Sequence, residues 1–126
     1  MGTRYLIDTN AIIDFCNGKI PENGRDFLLN ITPEISIITH IELFATKNIT
    51  QSEYELLQKF VSFSNIHNVD KSLVDITINI RQEYKIKLPD AIIAATALAN
   101  DLSLISRNTK DFQGITDLKY INPYDL

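Results

Sequence analysis

Short β-prone runs alternate with helix-length segments along the whole chain, and this alternation restricts the fold more than any other feature. Each run is rich in Ile, Leu or Val, and each is followed by a segment whose apolar residues recur at helical spacing. Strands separated by helices form parallel sheets with helices on both faces. The sequence therefore predicts an α/β fold, a three-layer α/β/α sandwich around a central, mostly parallel sheet of four to five strands. The predicted strands cover 4–7, 34–38, 66–69, 102–105 and 119–121, and the predicted helices follow Asp8, cover 26–30, begin at Thr39, cover 51–63 and 70–84, and run from Pro89 to about Asn100, with a helical turn at 109–112.

The segment 70–84 fits two structures. Val74, Ile76, Ile78 and Ile80 alternate with polar residues, and their β-branched side chains favour a strand. A helix would also place several apolar residues of this segment on one face. We predict a helix, because Asp70 can cap it and because a second strand directly after 66–69 is topologically awkward.

Length and composition limit the class of protein. A chain of 126 residues with 44% hydrophobic residues can bury one ordinary core, so we expect a single domain over 1–126. The net charge of -4 argues against binding nucleic acid through bulk charge, so any RNA binding must be local. The lone Cys16 indicates a reducing cytosol, and the apolar runs are too short to cross a membrane. We expect a cytoplasmic protein.

Four acidic residues occupy positions where such a sheet places functional groups. In parallel α/β sheets the functional crevice lies beyond the carboxyl ends of the strands. Asp8 directly ends the first predicted strand, Glu42 lies one helical turn past the second, and Asp111 follows the fourth by six residues. Asp90 comes from the first turn of a later helix. We therefore expect these four carboxylates at one edge of the sheet.

A cluster of carboxylates needs a cation, because each acid raises the pKa of its neighbours unless their charge is neutralised. A hard divalent ion such as Mg²⁺ prefers oxygen ligands and keeps several waters. Such an ion can lower the pKa of a bound water and neutralise phosphate oxygens while a P–O bond breaks, so no histidine base is required. The four acids thus indicate phosphoryl chemistry.

Each acid also has a purely structural explanation. Asp8 could cap the first helix, although Thr9 and Asn10 already offer that cap. Glu42 completes a capping box with Thr39. Asp90 in a first helical turn is favourable against the helix dipole, and Asp111 could follow a cap at Asn108. Considered singly, these positions do not decide between structure and function.

The order and spacing of four motifs resemble the PIN-domain family of nucleases, in particular the toxin ribonucleases of VapBC-type toxin–antitoxin pairs, over essentially the whole chain. Any one motif is weak, whereas four in order are specific. The serine at 106 is a mild departure, because the family often has threonine there. The matching segments are Leu6-Ile7-Asp8-Thr9-Asn10, Ile38-Thr39-His40-Ile41-Glu42-Leu43, Leu88-Pro89-Asp90-Ala91-Ile92-Ile93-Ala94-Ala95 and Ser106-Arg107-Asn108-Thr109-Lys110-Asp111-Phe112.

The resemblance implies a PIN-like α/β/α sandwich that hydrolyses RNA with Mg²⁺ or Mn²⁺, forms homodimers and is inhibited by a small antitoxin protein. It also implies roles for particular residues. By the resemblance, Asp8, Glu42, Asp90 and Asp111 carry the metal, Ser106 and Asn108 orient ligands and water, and Asn10 lines the site.

Two further points stay open in the sequence. Basic residues near the acids, namely Arg81, Lys85, Lys87, Arg107 and Lys110, could form a phosphate-guiding rim or merely a solvated surface. A catalytically silent PIN-like binding module and a housekeeping RNA-processing nuclease are the alternatives to a toxin. A phosphoacceptor receiver domain is disfavoured, because the first predicted strand ends in one acid rather than an adjacent pair.

Overall fold

A computed structural model describes residues 2–126, which contain one sheet of five parallel strands in the order β3-β2-β1-β4-β5. The chain passes outwards from β1 to β3 and then returns to the other side of β1, where β4 pairs with it. The order of the strands therefore reverses between β1 and β4. The strands are β1 Tyr5–Ile7, β2 Glu34–Ser36, β3 Asn65–His67, β4 Ser103–Ile105 and β5 Tyr120–Ile121.

Helices cover both faces of the sheet, because neighbouring strand residues point to opposite sides. Within residues 2–126 the α-helices are α1 Thr9–Cys16, α2 Glu22–Leu29, α3 Ile37–Phe44, α4 Gln51–Ser62, α5 Lys71–Glu83 and α6 Leu88–Ala99, with 3₁₀ turns at Thr109–Asp111 and Pro123–Asp125. Leu6 and Leu104 face a core formed with α5 and α6, whereas Ile7, Ile35 and Ile105 face a core formed with α1 to α4. The predicted three-layer α/β/α sandwich is confirmed.

The ambiguous segment 70–84 forms helix α5, as predicted. The Asp70 side chain accepts a hydrogen bond from the Leu73 backbone N–H at 2.8 Å and so caps the helix. Leu73 and Ile80 are buried against the sheet, whereas Ile78 is exposed. The alternating β-branched residues of this segment therefore lie partly on the buried face of the helix and partly on its exposed face.

None of the helices in residues 2–126 has the length and hydropathy needed to cross a membrane.

The boundary between β2 and α3 differs from the prediction. The strand ends at Ser36, whose hydroxyl accepts from the Ile38 backbone N–H at 3.1 Å and caps a helix that begins at Ile37. The predicted strand through Ile38 and the predicted capping box between Thr39 and Glu42 are therefore wrong. Tertiary packing outweighs the β propensity of the two isoleucines here, because a helix starting at Ile37 buries Thr39 completely.

Three further differences concern helix starts. The helix predicted over 26–30 is α2, which begins at Glu22 directly after Pro21 and ends at Leu29. Asp8 itself is the cap of α1, with its carboxylate accepting from the Thr9 N–H, so neither Thr9 nor Asn10 takes that role. Pro89 lies at the second rather than the first position of α6, which begins at Leu88. By contrast, α4 begins at Gln51 as predicted, because the Thr50 hydroxyl accepts from the Glu53 N–H at 3.1 Å and caps the helix.

Candidate active site

The candidate site lies at the carboxyl ends of β1 and β4, where the order of the strands reverses. This crevice is the usual ligand position in open parallel sheets. Asp8 directly follows β1 and Ser106 directly follows β4, and the two strands are paired through Ile7 and Ile105. The fold alone therefore places these two side chains next to each other.

Asp8 is a buried carboxylate, 6% exposed, and both of its oxygens have fixed partners. The Thr9 backbone N–H donates to Oδ1 at 2.8 Å, and the Ser106 hydroxyl donates to Oδ2 at 2.9 Å. Burial raises the pKa of Asp8 above its ordinary value, the two hydrogen bonds lower it, and the charges of Glu42 and Asp111 raise it again. The net direction is upward.

Ser106 is itself oriented by the chain that follows it. The Asn108 backbone N–H donates to the Ser106 hydroxyl oxygen at 3.0 Å, which leaves the hydroxyl proton directed at Asp8. The Asn108 side chain does not cap the 3₁₀ turn after it. The contact to Ser106 therefore comes from the Asn108 backbone, and its amide side chain is free of the capping role.

Glu42 reaches the site from the second turn of α3 and is held by Thr9, a residue to which the sequence assigned only a possible helix cap. The Thr9 hydroxyl donates to Glu42 Oε1 at 2.7 Å, and its oxygen lies 3.2 Å from the hydroxyl of Thr39. Thr9 and Thr39 are both buried. The position of Thr9 between Asp8 and Asn10 was the only sequence signal for this role. The sequence could not indicate its partner, because Glu42 lies 33 residues away in the chain.

Asp90 projects from the first turn of α6 and is half-buried. Its pKa rises to about 6, chiefly through burial and then through the charges of Asp8, Asp111 and Glu42, while Lys87 acts in the opposite direction. Four acids from four different elements therefore act on one another at this edge of the sheet. We call Asp8, Glu42, Asp90 and Asp111 the acid cluster.

The remaining predicted residues divide into two groups. Asp111 and Lys110 are exposed in the 3₁₀ turn after β4, close to the acids. Asn10 lies in the first turn of α1, where no side-chain hydrogen bond within residues 2–126 joins it to the acid cluster. Arg107 is directed away, because its guanidinium donates to both oxygens of Asp14 at 3.0 and 3.2 Å.

The acid cluster suits a hard cation that retains water. Its donors are all carboxylate oxygens, and none of the four acids forms a salt bridge with a cationic side chain of residues 2–126. Within residues 2–126, however, no three His, Cys, Asp or Glu side chains lie close enough together to hold a metal ion as they stand. Ligands for Mg²⁺ need not form a complete cage, because this ion keeps several waters and takes few protein carboxylates.

Comparisons with known proteins identify the family of the chain. The family model of the PIN domain matches residues 5–118, so the chain belongs to the PIN-domain family. Nuclease activity is the general function of this family, and its nucleases generally use divalent metal ions. No curated protein sequence matches the chain.

Solved structures from toxin–antitoxin complexes share the whole fold. A chain of a toxin–antitoxin complex from Klebsiella pneumoniae is 36% identical, with 97% of this chain and 99% of that chain covered and a TM-score of 0.77. A chain of DNA-bound VapBC from Salmonella typhimurium is 26% identical, with 97% and 99% covered and a TM-score of 0.80. A chain of VapBC2 from Rickettsia felis bound to a promoter DNA fragment is 25% identical, with 95% and 98% covered and a TM-score of 0.80. The resemblance seen in the sequence is confirmed.

Proposed function

We propose that this chain is a divalent-metal-dependent endoribonuclease and the toxin of a toxin–antitoxin pair. The observation that carries the proposal is the burial of Asp8 beside three further carboxylates, with no cationic side chain of residues 2–126 bound to it. Apart from the cap that Asp8 gives α1, which an asparagine could also provide, neighbouring carboxylates lower stability unless a cation is added. A metal ion supplied from solution, together with a phosphate substrate, accounts for it.

We assign the metal, Mg²⁺ or Mn²⁺, to Asp8, Glu42, Asp90 and Asp111. When bound, such an ion activates a water and neutralises phosphate oxygens. Ser106 and Thr9 hold the two oxygens of Asp8 in fixed directions, and Thr9 also holds one oxygen of Glu42. These hydrogen bonds hold the two carboxylates in place before any ligand arrives. They therefore lower the entropy cost of ordering the two side chains when a metal binds.

The choice of a toxin follows the relatives, whereas the choice of RNA follows the family resemblance of the sequence. The similar chain from Klebsiella pneumoniae comes from a toxin–antitoxin complex, and this chain and that chain match over nearly their full lengths. We therefore propose a small antitoxin as the protein partner and a homodimer as the assembly. One domain over 1–126 and a cytoplasmic location complete the proposal.

The test is cleavage of a mixed RNA pool with Mg²⁺, with Mn²⁺ or with EDTA. We expect cleavage with either metal, no cleavage in EDTA, and no cleavage by Asp8→Asn or Asp90→Asn purified in the same way. Equal cleavage by the two variants would reveal a contaminating nuclease and contradict the proposal. Metal-independent cleavage by the wild type would contradict the metal requirement.

The antitoxin is tested separately, by co-expression with the small protein encoded beside the gene. We expect the two proteins to purify together and the RNA cleavage to disappear in the complex. If the chain cleaves RNA but does not bind the protein encoded beside its gene, it would be a processing nuclease. A chain that binds the partner and never cleaves RNA would be a silent binding module.

A further inference from the structure

An open groove with a volume of about 510 Å³ begins at the acid cluster and runs along the end of α5 and the loop before α6. Asp90 and Asp111 form its acidic end. Ile86, Gln113 and Ile115 form part of the remaining wall. The rest of the wall consists of four cationic side chains and one tyrosine, namely Arg81, Lys85, Lys87, Lys110 and Tyr84. The protein carries a net charge of -4, so this local concentration of positive charge is opposite to the charge of the whole molecule. We call this feature the cationic groove.

The four cations of the groove form no salt bridge with any described residue, although Lys87 lies near enough to Asp90 to affect its charge. All four are exposed. Arg107 differs, because Asp14 already neutralises it. The sequence grouped all five residues as one rim, whereas the structure separates Arg107 from a set of four cations that remain available for a ligand.

Tyr84 adds a fixed aromatic ring to the groove. Its hydroxyl accepts from the Thr116 backbone N–H at 3.1 Å and lies 3.0 Å from the Thr116 hydroxyl. The ring is therefore anchored at its polar end to the loop after the 3₁₀ turn. Proteins that bind single-stranded nucleic acid combine a positive groove for the backbone with aromatic side chains for the bases.

We propose that the cationic groove binds a single RNA strand on one side of the scissile phosphate and leads it to the acid cluster. This inference rests on the proposed nuclease function. Arg81, Lys85, Lys87 and Lys110 bind successive backbone phosphates, and Tyr84 supports a base. Because these interactions involve only the backbone and a ring face, the groove gives affinity and direction rather than sequence choice.

The test measures RNA binding without cleavage. All proteins carry Asp8→Asn, which lies outside the groove, and the probe is a fluorescent single-stranded RNA of about 12 nucleotides. The groove variant is Lys85→Gln with Lys87→Gln. The matched control is Lys71→Gln with Lys119→Gln, which changes the net charge equally. Both control residues lie away from the groove and have acidic partners. Lys71 is the first residue of α5, about 15 Å along the helix from Arg81, and pairs with Asp75, whereas Lys119 pairs with Asp101.

We expect the groove variant to bind RNA at least about tenfold more weakly, with a salt dependence that is shallower by about 0.7 for each phosphate that is no longer neutralised. The control should bind as the parent does, and Lys85→Arg with Lys87→Arg should restore binding. A duplex of the same sequence should bind at least about tenfold more weakly than the single strand. Equal weakening in groove variant and control, or equal binding of duplex and single strand, would overturn the inference.

The outcomes also separate this inference from the nuclease proposal. RNA cleavage by the otherwise native protein together with unchanged RNA binding by the groove variant would refute the groove and leave the nuclease intact. Groove-dependent RNA binding without any cleavage would do the reverse. Loss of antitoxin binding with RNA binding intact would make the groove a protein site, which also overturns the inference.

A second inference rests on a different observation, the buried acid Asp14 on α1. It is 2% exposed and is held by Arg107 Nη1 at 3.0 and 3.2 Å and by the Tyr124 hydroxyl at 2.9 Å. Arg107 lies between Ser106, whose hydroxyl donates to Asp8, and Asn108, whose backbone N–H donates to that hydroxyl. The Arg107 carbonyl accepts from Asn122 Nδ2 at 3.4 Å. These hydrogen bonds join α1, the loop after β4 and the C-terminal turn.

We infer that Asp14, Arg107 and Tyr124 are positioning residues, which hold the Ser106 hydroxyl against Asp8. Residues that orient metal ligands from behind typically change metal affinity by about 10- to 100-fold when replaced. The inference therefore predicts an effect on metal binding, whereas a merely structural ion pair would change only stability.

The test compares Asp14→Asn, Arg107→Lys and Tyr124→Phe with Glu34→Gln, which breaks another buried acid–arginine pair remote from the acid cluster. We expect Asp14→Asn to weaken Mn²⁺ binding about tenfold. Arg107→Lys and Tyr124→Phe should weaken Mn²⁺ binding less. Glu34→Gln should leave Mn²⁺ affinity unchanged even where it lowers the thermal midpoint as much as Asp14→Asn does. The RNA KM should change little. Unchanged Mn²⁺ affinity in the folded Asp14 and Arg107 variants would overturn the inference.

Discussion

Two strands of the same sheet carry buried carboxylates whose charged surroundings are opposite. Glu34 on β2 is 3% exposed and is bound by Arg4 at 2.6 and 2.9 Å and by His67 at 2.8 Å. Burial would raise the pKa of Glu34, but the hydrogen bonds from Arg4 and His67 outweigh it, so the pKa is lowered. Asp8 at the end of β1 is similarly buried, yet its charged neighbours are acids and its pKa is raised.

This difference separates a carboxylate that is neutralised within the chain from one that is not. A buried carboxylate that the protein itself neutralises contributes to folding, because its charge is paired within the chain. A buried carboxylate that faces further acids costs stability until a cation arrives from outside. Glu34, with its partners Arg4 and His67, therefore belongs to the first class, and Asp8 within the acid cluster belongs to the second.

The largest expected effect comes from Asp8→Asn. RNA cleavage should fall by about 100-fold or more, because the metal loses a ligand that no other residue can replace. The thermal midpoint in EDTA should stay the same or rise, since the substitution removes an unneutralised buried charge. Cleavage rate and thermal unfolding of one preparation check both parts. A lower midpoint with cleavage retained would make Asp8 a structural acid like Glu34.

Glu34→Gln should show the opposite pattern. We expect a loss of roughly 1–2 kcal/mol in the free energy of unfolding, after allowance for the exposed Arg4 partner. RNA cleavage per folded molecule should not change. Because the pKa of Glu34 is lowered on folding, its contribution is fully present above its ordinary value of 4.5 and is lost as the pH falls below that value. Urea unfolding between pH 3 and 7 measures this.

Asp90 should respond to pH in the reverse direction. Its pKa of about 6 in the folded protein exceeds the ordinary value of 3.8. Between these two pH values the folded protein keeps a proton that the unfolded chain has lost, so the free energy of unfolding falls as the pH rises. In EDTA above pH 7, Asp90→Asn should be more stable than the wild type by about 1 kcal/mol, which allows for the partial exposure of the site. The two proteins should unfold alike near pH 4. A constant difference at all pH values would show that the charge of Asp90 is not responsible.

The smallest effect is expected for Thr9→Val, which keeps the shape of the side chain and removes the hydrogen bond to Glu42. We expect a loss of about 0.5–1 kcal/mol in stability, because Glu42 is half-exposed and can bind water instead. Mn²⁺ affinity should weaken only a few-fold. Calorimetry of Mn²⁺ binding measures this, and a loss as large as that of Asp8→Asn would mean that Thr9 does more than orient Glu42.

The local sequence predicts most of the fold and the positions of the acids. Strand, turn and cap signals lie within a few residues of one another, as at Thr50 and Glu53, and there the prediction and the structure agree. At Thr39 and Glu42 the same four-residue pattern occurs inside a helix, and Glu42 bonds instead to Thr9. The difference arises from packing between α1 and α3, which no local pattern contains.

Contacts between distant residues explain what the sequence could not predict. Asp14 meets Arg107 and Tyr124 across 93 and 110 residues, and nothing near Asp14 in the chain indicates either partner. The division of the basic residues into one neutralised arginine and the four cations of the groove follows from that contact. The predicted roles of the acids, of Asn10, Ser106 and Asn108 and of the basic residues remain predictions.

Direct measurement of Mn²⁺ binding tests the central contrast between the two regions. Electron paramagnetic resonance of free Mn²⁺ gives the bound fraction for the wild type, Asp8→Asn and Glu34→Gln at pH 7.5, where Asp90 is ionised. We expect the wild type and Glu34→Gln to bind with equal affinity and Asp8→Asn to bind at least about tenfold more weakly. Equal binding by all three proteins, or none by the wild type, would contradict the assignment of the acid cluster as a metal site.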